Sequence, residues 1–379
     1  MGNRLNINTN VLLAYIRQSN IPIEILREKI KNIDQIISGE MAPTFIQLSN
    51  IAKTINVPTG LLLLDEPIDG RKINLQFRTL HSEQLEEMSS ELRDTILDMQ
   101  EKQDFLKEEV EGECPFVGLF TVQDDDEKVI QEIHHYLGTK IVKERFKDYR
   151  KKMNEVGVFI FLNGKVKDNT RRPLNLKEFR GFVLSDKRAP LIFINQTDSS
   201  AGKLFTLIHE FVHLFFDDSD LLTNHDFASH TNLEAKINRI TAEILLPQRF
   251  LAELLDNQQN LEDNLTSISK RFEVSKFVVL RRLYDLKYIS RESYISMNHQ
   301  LEQEFMKLQK NDSNSSGGNY YNNLKFRMDH HFVHYVDNAV KQNRISYTDA
   351  FLIVGVGYKG YHHLLKKTNI RLGDIYFPV

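Results

Sequence analysis

The sequence predicts an α+β chain that is mainly α: a helical N-terminal domain, a core with a small antiparallel sheet, and a helical C-terminal extension. Three observations predict this. Apolar residues recur three and four apart over most of the chain, the period of a helix with one buried face. Only between residues 116 and 200 does the pattern change to short continuous apolar runs bounded by turn residues, as strands show. The length, 379 residues, corresponds to two or three domains at about 100–200 residues each. The expected division is a helical domain at 1–69, an acidic helical linker region at 70–150, a core at 151–255, a second helical segment at 256–300 and a C-terminal helical module at 301–379.

From the N-terminus, Val11, Leu12, Tyr15 and Ile16 mark a first helix. Pro22 suits a first-turn position, and Ile23, Leu26 and Ile30 form the stripe of a second. A short helix over Ile33 to Ile37 should stop at Ser38-Gly39, and another starts after Pro43 with Thr44 as cap. Pro58 opens a last piece through Leu64, and the breaker cluster from Asp65 to Gly70 is a plausible domain edge. Residues 81–112 read as an acidic amphipathic helix with Leu85, Met88, Leu92, Ile96 and Met99 on one face. Val156–Leu162, Gly181–Leu184 and Leu191–Asn195 are strand candidates, the last two at hairpin distance across Arg188-Ala189-Pro190. The chain is helical again from Ala201 to Leu286, and the polar stretch from Asn311 to Asn319 reads as a linker or loop.

Composition narrows the chemistry. A single cysteine, Cys114, excludes an internal disulfide framework and any multi-thiolate metal site within one chain, while 13 histidines leave nitrogen and oxygen ligation open. The polar N-terminus and the lack of an apolar run of about 20 residues predict a cytoplasmic protein without a membrane partner. The net charge of −3 is uneven: residues 83–127 hold 16 acidic and 3 basic side chains, a balance of −13, leaving +10 for the rest. Residues 270–379 hold 17 basic and 10 acidic ones, a balance of +7. Either segment could dock a partner of opposite charge.

The sharpest motif is His209-Glu210-Phe211-Val212-His213. In a helix the two histidines lie one turn apart on the same face, so both can reach one zinc ion, and Glu210 beside them can act as a general base toward a metal-activated water. The motif by itself also fits two surface histidines in a histidine-rich chain. A catalytic zinc site needs a third protein ligand, and Glu234, opening a helix that runs to Pro247, is the preferred candidate. Its other reading is a first-turn glutamate favoured by the helix dipole. Asn238, four residues on, could hold His209 or His213 in the metal-binding tautomer. Glu243, Asp217, Asp218, His225 and His230 are rival ligands.

These residues resemble the ImmA/IrrE family of zinc metallopeptidases. Its pattern is a strand ending in Asn, a Phe-Thr-Leu segment leading into H-E-x-x-H, and a helix of the form E-x-x-A-N-x-F-A-A-x-L-L-x-P. The chain has Ile194-Asn195, Phe205-Thr206-Leu207-Ile208-His209-Glu210, and Glu234 to Pro247 with Ile237, Ile240 and Thr241 as departures at packing positions. Phe179-Arg180-Gly181-Phe182 is similar to the family's strand before the metal helix. The resemblance implies a minimal zincin core of the gluzincin-like kind: Zn2+ held by His209, His213 and Glu234, Glu210 as base and later proton donor, and a substrate backbone added to Phe182–Leu184 or Ile192–Ile194. His225, His230 and Tyr320 are weak candidates for stabilising the oxyanion. The implied substrate is a protein partner, a transcriptional repressor of the Xre type.

The first 64 residues are similar to the Xre/Cro-type helix-turn-helix domains fused to this family. The expected base-reading helix is Asn32 to Ser38, exposing Asn32, Asp34 and Gln35. Residues 1–69 carry only 6 basic against 7 acidic side chains, so DNA contact competes with a protein-contact or structural role. A second helix-turn-helix-like stretch runs from Leu265 to Leu286, basic through Lys276, Arg281, Arg282 and Lys287. Its apolar Phe277, Leu280, Leu283 and Leu286 also suit packing on the peptidase core. In the C-terminal module His330, His331 and His334 could hold a second metal or be structural. The competing function is a non-proteolytic antitoxin with a toxin partner, or a DNA-binding regulator.

Overall fold

The computed structural model describes residues 4–18, 23–55, 57, 59–64, 66, 88–138, 145–216, 227–256, 258–311 and 319–366. Side chains at 227–231 and 305–311 lie outside the description, as do Pro22, Pro58, Leu85, Asp217, Asp218, His225 and the side chain of His230. The described residues form two compact units, divided between Leu97 and Asp98.

The first unit contains α1 (Thr9–Gln18), α2 (Ile23–Lys29), α3 (Ile33–Ile37), α4 (Phe45–Thr54) and a 3-10 turn at Thr59–Leu63. The apolar stripes read from the sequence meet in one core that includes Leu12, Tyr15, Leu26, Ile33, Ile36, Leu48, Ile51 and Leu62. The turn into α3 passes through Asn32 in the left-handed region (φ 64°), and Gly39 (φ 80°) ends the helix. Thr44 caps α4 reciprocally with Gln47, whose backbone N–H donates to the threonine hydroxyl while its side chain accepts from the Thr44 N–H at 2.9 Å.

α5 (Ser90–Glu109) spans the division and is shorter than the expected 81–112, of which residues 81–87 lie outside the description. The second unit continues with α6 (Asp126–Leu137), α7 (Phe146–Glu155), β1 (Phe159–Asn163), β2 (Gly181–Leu184), β3 (Leu191–Asn195), α8 (Ser200–His213), α9 (Phe227–Leu245) and α10 (Gln248–Leu254). The segment expected as a linker region supplies Phe116, Val129, Ile133 and Tyr149 to the same core as the sheet and α8. α11 (Leu261–Phe272) and α12 (Lys276–Asp285) follow, joined through Glu273 in the left-handed region, then α13 (Arg291–Asn311), α14 (Tyr320–Arg327), α15 (His330–Lys341), α16 (Tyr347–Val354) and α17 (Tyr358–Leu365). No helix among the described residues is long and apolar enough to cross a membrane.

The sheet is mixed, which corrects the antiparallel expectation. Its order is β1-β3-β2; β2 and β3 form the expected antiparallel hairpin, but β1 lies parallel to β3, pairing Phe159 with Leu191 and Asn163 with Asn195. Nearly continuous apolar runs, buried on both faces, specify strands without specifying direction.

The outer edge of β1 is closed by side chains 10 to 169 residues away. Asp329, fully buried just before α15, accepts the Ile160 N–H at 2.9 Å and the Asn154 side-chain amide at 2.6 Å. Its other oxygen caps α15, accepting from the N–H groups of His331 and Phe332. Arg150 of α7 donates to Ile160 O at 2.8 Å and to the carbonyls of Phe326 and Met328. Burial pushes its guanidinium pKa down and the Asp329 charge opposes this. Asp329 and Arg150 therefore satisfy the N–H and carbonyl of Ile160, which would otherwise lie on an open strand edge.

Candidate metal centre

α8 starts where the sheet ends. Asn195 is buried and holds the exit from β3: its amide donates to Phe179 O, and its side-chain oxygen accepts from the Thr197 hydroxyl at 2.7 Å. Ser199 then caps α8 by accepting the Gly202 N–H. Leu204, Leu207, Ile208, Phe211 and Val212 bury one side of the helix in the core. This fixes the orientation of His209, Glu210 and His213.

α9 brings Glu234 to the two histidines. Leu233, Ile237, Ile240 and Ile244 are its buried stripe. Glu234 does not open the helix as expected; α9 begins at Phe227, so Glu234 lies beyond the first turn and the helix dipole does not account for it. His209 Nε2 and His213 Nε2 are 3.1 Å apart, His213 Nε2 lies 3.1 Å from Glu234 Oε1, and His209 Nε2 lies 3.4 Å from Glu234 Oε2. These residues are the group among the described residues able to hold a metal ion. Ligand bonds of 2.0–2.1 Å in a tetrahedron put donor atoms about 3.3 Å apart. The separations are close to that edge length, with each carboxylate oxygen of Glu234 facing one imidazole, and the two-imidazole, one-carboxylate set is one that zinc accepts.

The electrostatics are those of a site that shares positive charge. Burial alone would lower the His209 pKa, but hydrogen bonding to Glu234, the charges of Glu210 and Glu234, and the adjacent Asn238 side chain outweigh it and hold the pKa above its usual value. Burial would raise the Glu234 pKa; the two histidines reverse this and keep the carboxyl well below the usual range. The Asn238 side chain hydrogen-bonds with His209, although Asn238 is exposed. Because zinc takes neutral imidazole, the proton on His209 must leave first. Zinc affinity is therefore expected to increase as pH rises through and above the ordinary imidazole range near 6.5, and to fall on acidification. Competition against a chelator between about pH 6 and 8 checks this, and a flat profile would contradict it.

Glu210 is 3% exposed, and β2 passes against it. A Cβ on Gly181 would come within 2.5 Å of Thr206 Cγ2, 2.8 Å of Phe193 O and 3.5 Å of Glu210 Cγ, so only glycine allows this strand–helix approach. Gly181→Ala is expected to cost about 1–3 kcal/mol by overpacking, read as a lowered thermal midpoint; unchanged stability would contradict the close approach.

Several rivals are placed elsewhere. Glu243 is paired with Arg282 and accepts the Gln248 N–H at 3.2 Å, so it serves the junction with α10 and α12 and not the metal group. That pairing also consumes one of the basic residues of the second helix-turn-helix-like stretch. Arg281 is paired with Asp285 at 2.9 Å, and Leu280 and Leu283 are buried in the core. The Tyr320 hydroxyl donates to Asp168 at 2.7 Å, which commits it to the loop between β1 and β2. His330, His331 and His334 form no metal-holding group among the described residues. β3 is the central strand, which removes Ile192–Ile194 as a site for strand addition and leaves Phe182–Leu184 on the edge strand β2. In the first unit Asn32, Asp34 and Gln35 are exposed as expected, with Asp34 hydrogen-bonded by Arg27.

Residues 135–284 match a peptidase family model described as the IrrE N-terminal-like domain. That IrrE-like segment contains the sheet, α8, α9 and all three residues of the metal-holding group. It ends within α12, so Asp329 and α14 to α17 lie outside it. No curated protein matches the chain at a significant level.

Proposed function

We propose that the chain is a zinc-dependent endopeptidase. The observation that carries this reading is the convergence of His209, His213 and Glu234, whose ligand atoms lie within 4.8 Å of one another, with Glu210 next to them on α8. Zinc held there would keep a fourth position open and supply Lewis-acid polarisation of a scissile carbonyl and a water. Glu210 is the group that moves protons: it accepts one as water attacks and returns it to the departing amine. Its burial against Gly181 excludes bulk water and fixes its direction. Asn238 orients His209. A substrate in extended form would pair with the edge strand β2, presenting its backbone alongside α8.

The substrate under this reading is a protein, a transcriptional repressor of the Xre type; this rests on the family resemblance of the motifs at 179–182, 194–195, 205–213 and 234–247. The helical first unit, with its exposed Asn32, Asp34 and Gln35, then serves either DNA or the protein partner. The test is cleavage of a peptide library by the zinc-loaded full chain, read by mass spectrometry. Chelator-sensitive cleavage at a restricted set of bonds is expected. Cleavage that is absent with zinc present would overturn the reading.

A further inference from the structure

The C-terminal module carries a cavity that the peptidase reading does not use. It lies along α17. Gly360, Tyr361 and Leu364 are buried and dock this helix. Gly360 permits the contact, since a Cβ there would meet Val356 at 3.2 Å and Leu324 at 3.3 Å. Helical spacing leaves Tyr358, His362 and Lys366 in one row on the opposite side, with Lys359 and His363 in the next. Together with Tyr321 of α14 these five residues line a cavity of about 440 Å³, within the size range of small-molecule sites. The rings are close: Tyr321 and His363 have centroids 4.4 Å apart at 31°, and Tyr358 and His362 have centroids 4.3 Å apart at 70°.

Every lining residue among the described residues is aromatic or basic, and none of these is a carboxylate. A bare inorganic anion would use the lysines and leave the rings idle. A neutral apolar ligand would use the rings and leave two ammonium groups without a counter-charge among the described lining residues. We propose that this cavity binds a nucleoside phosphate, with the base stacked on the Tyr and His rings and the phosphate neutralised by Lys359 and Lys366. Charge distribution along the chain agrees with this placement. Residues 270–379 carry a balance of +7, whereas residues 1–69 hold 6 basic and 7 acidic side chains, so phosphate attraction belongs to the C-terminal third more than to the helix-turn-helix-type domain. A free mononucleotide and an unpaired base of a single strand offer the same chemistry. Bases inside a duplex are stacked on each other and do not.

The test uses the full-length chain, titrated with AMP, with inorganic phosphate, and with a labelled single-stranded oligonucleotide of about 12 residues and its duplex form. AMP is expected to bind at least about tenfold more tightly than phosphate. Tyr358→Ala and Lys359→Glu are each expected to weaken binding by about tenfold. Tyr358 is 63% exposed and Lys359 is exposed, so both variants retain the fold, which circular dichroism verifies. Tighter binding of the single strand than of AMP identifies nucleic acid as the source, and binding of AMP alone identifies a free nucleotide; both support the site. The proposal is overturned if neither AMP nor the oligonucleotide binds, if AMP binds no better than phosphate, if duplex binds as well as single strand, or if both variants bind as the unaltered chain does.

Discussion

Glu210→Gln is expected to retain zinc at the level of the unaltered protein and to cut peptide cleavage by about 10²–10⁴-fold, the range for loss of a general acid–base group. The substitution keeps size and shape, and Glu210 is not one of the three donor residues. It removes only the ability to take up and release a proton. The side chain is buried beside Gly181 with little room for a substitute base to enter, which argues for the upper part of that range. Zinc content by elemental analysis and initial cleavage rates on one peptide make the comparison. Cleavage at the unaltered rate would remove Glu210 from the mechanism, and loss of zinc would show that its role is structural.

Asp329→Ala is expected to cost about 3–5 kcal/mol, because it leaves several buried N–H donors without an acceptor at about 1–3 kcal/mol each. One oxygen of Asp329 holds the Ile160 N–H and the Asn154 amide, and the other caps α15. Alanine would leave those donors buried and the Arg150 guanidinium without its neighbouring charge. At about 2–4 °C per kcal/mol for a unit of this size, the thermal midpoint should fall by about 10 °C. Opening the β1 edge should also promote aggregation. A change below about 1 kcal/mol would mean that the C-terminal helices do not stabilise the sheet.

Much of this was legible from residue pattern alone. The N-terminal core follows from stripes such as Leu12, Tyr15 and Ile16, and the Thr44 and Gly39 helix signals act as their chemistry dictates. His209 and His213 are four apart on a helix with one apolar side, so their convergence is local. Glu234 is different. It reaches the histidines from another helix across a segment of irregular sequence, and spacing alone does not select it over Glu243; the family resemblance does. Packing then explains why Glu243 fails, since Arg282 from α12 claims it. Strand direction was not legible, because β1 and β3 are buried on both faces and alternate with nothing. Asp329 had no signal in the sequence: it caps α15 with one oxygen, and its other oxygen serves a strand 169 residues away. Gly181 had a signal only through the similarity of Phe179–Phe182 to the family's strand, and its reason, the approach of Thr206 and Glu210, exists only in three dimensions.

His209, His213 and Glu234 are expected to form one zinc site. Elemental analysis of the purified full chain beside Glu234→Ala tests it most directly. About one zinc per chain is expected in the unaltered protein, resistant to dialysis, and a large loss in the variant, with circular dichroism unchanged because Glu234 is partly exposed on α9 and lies off its apolar stripe. Zinc absent from the unaltered protein after loading, or retained in full by Glu234→Ala, would contradict it.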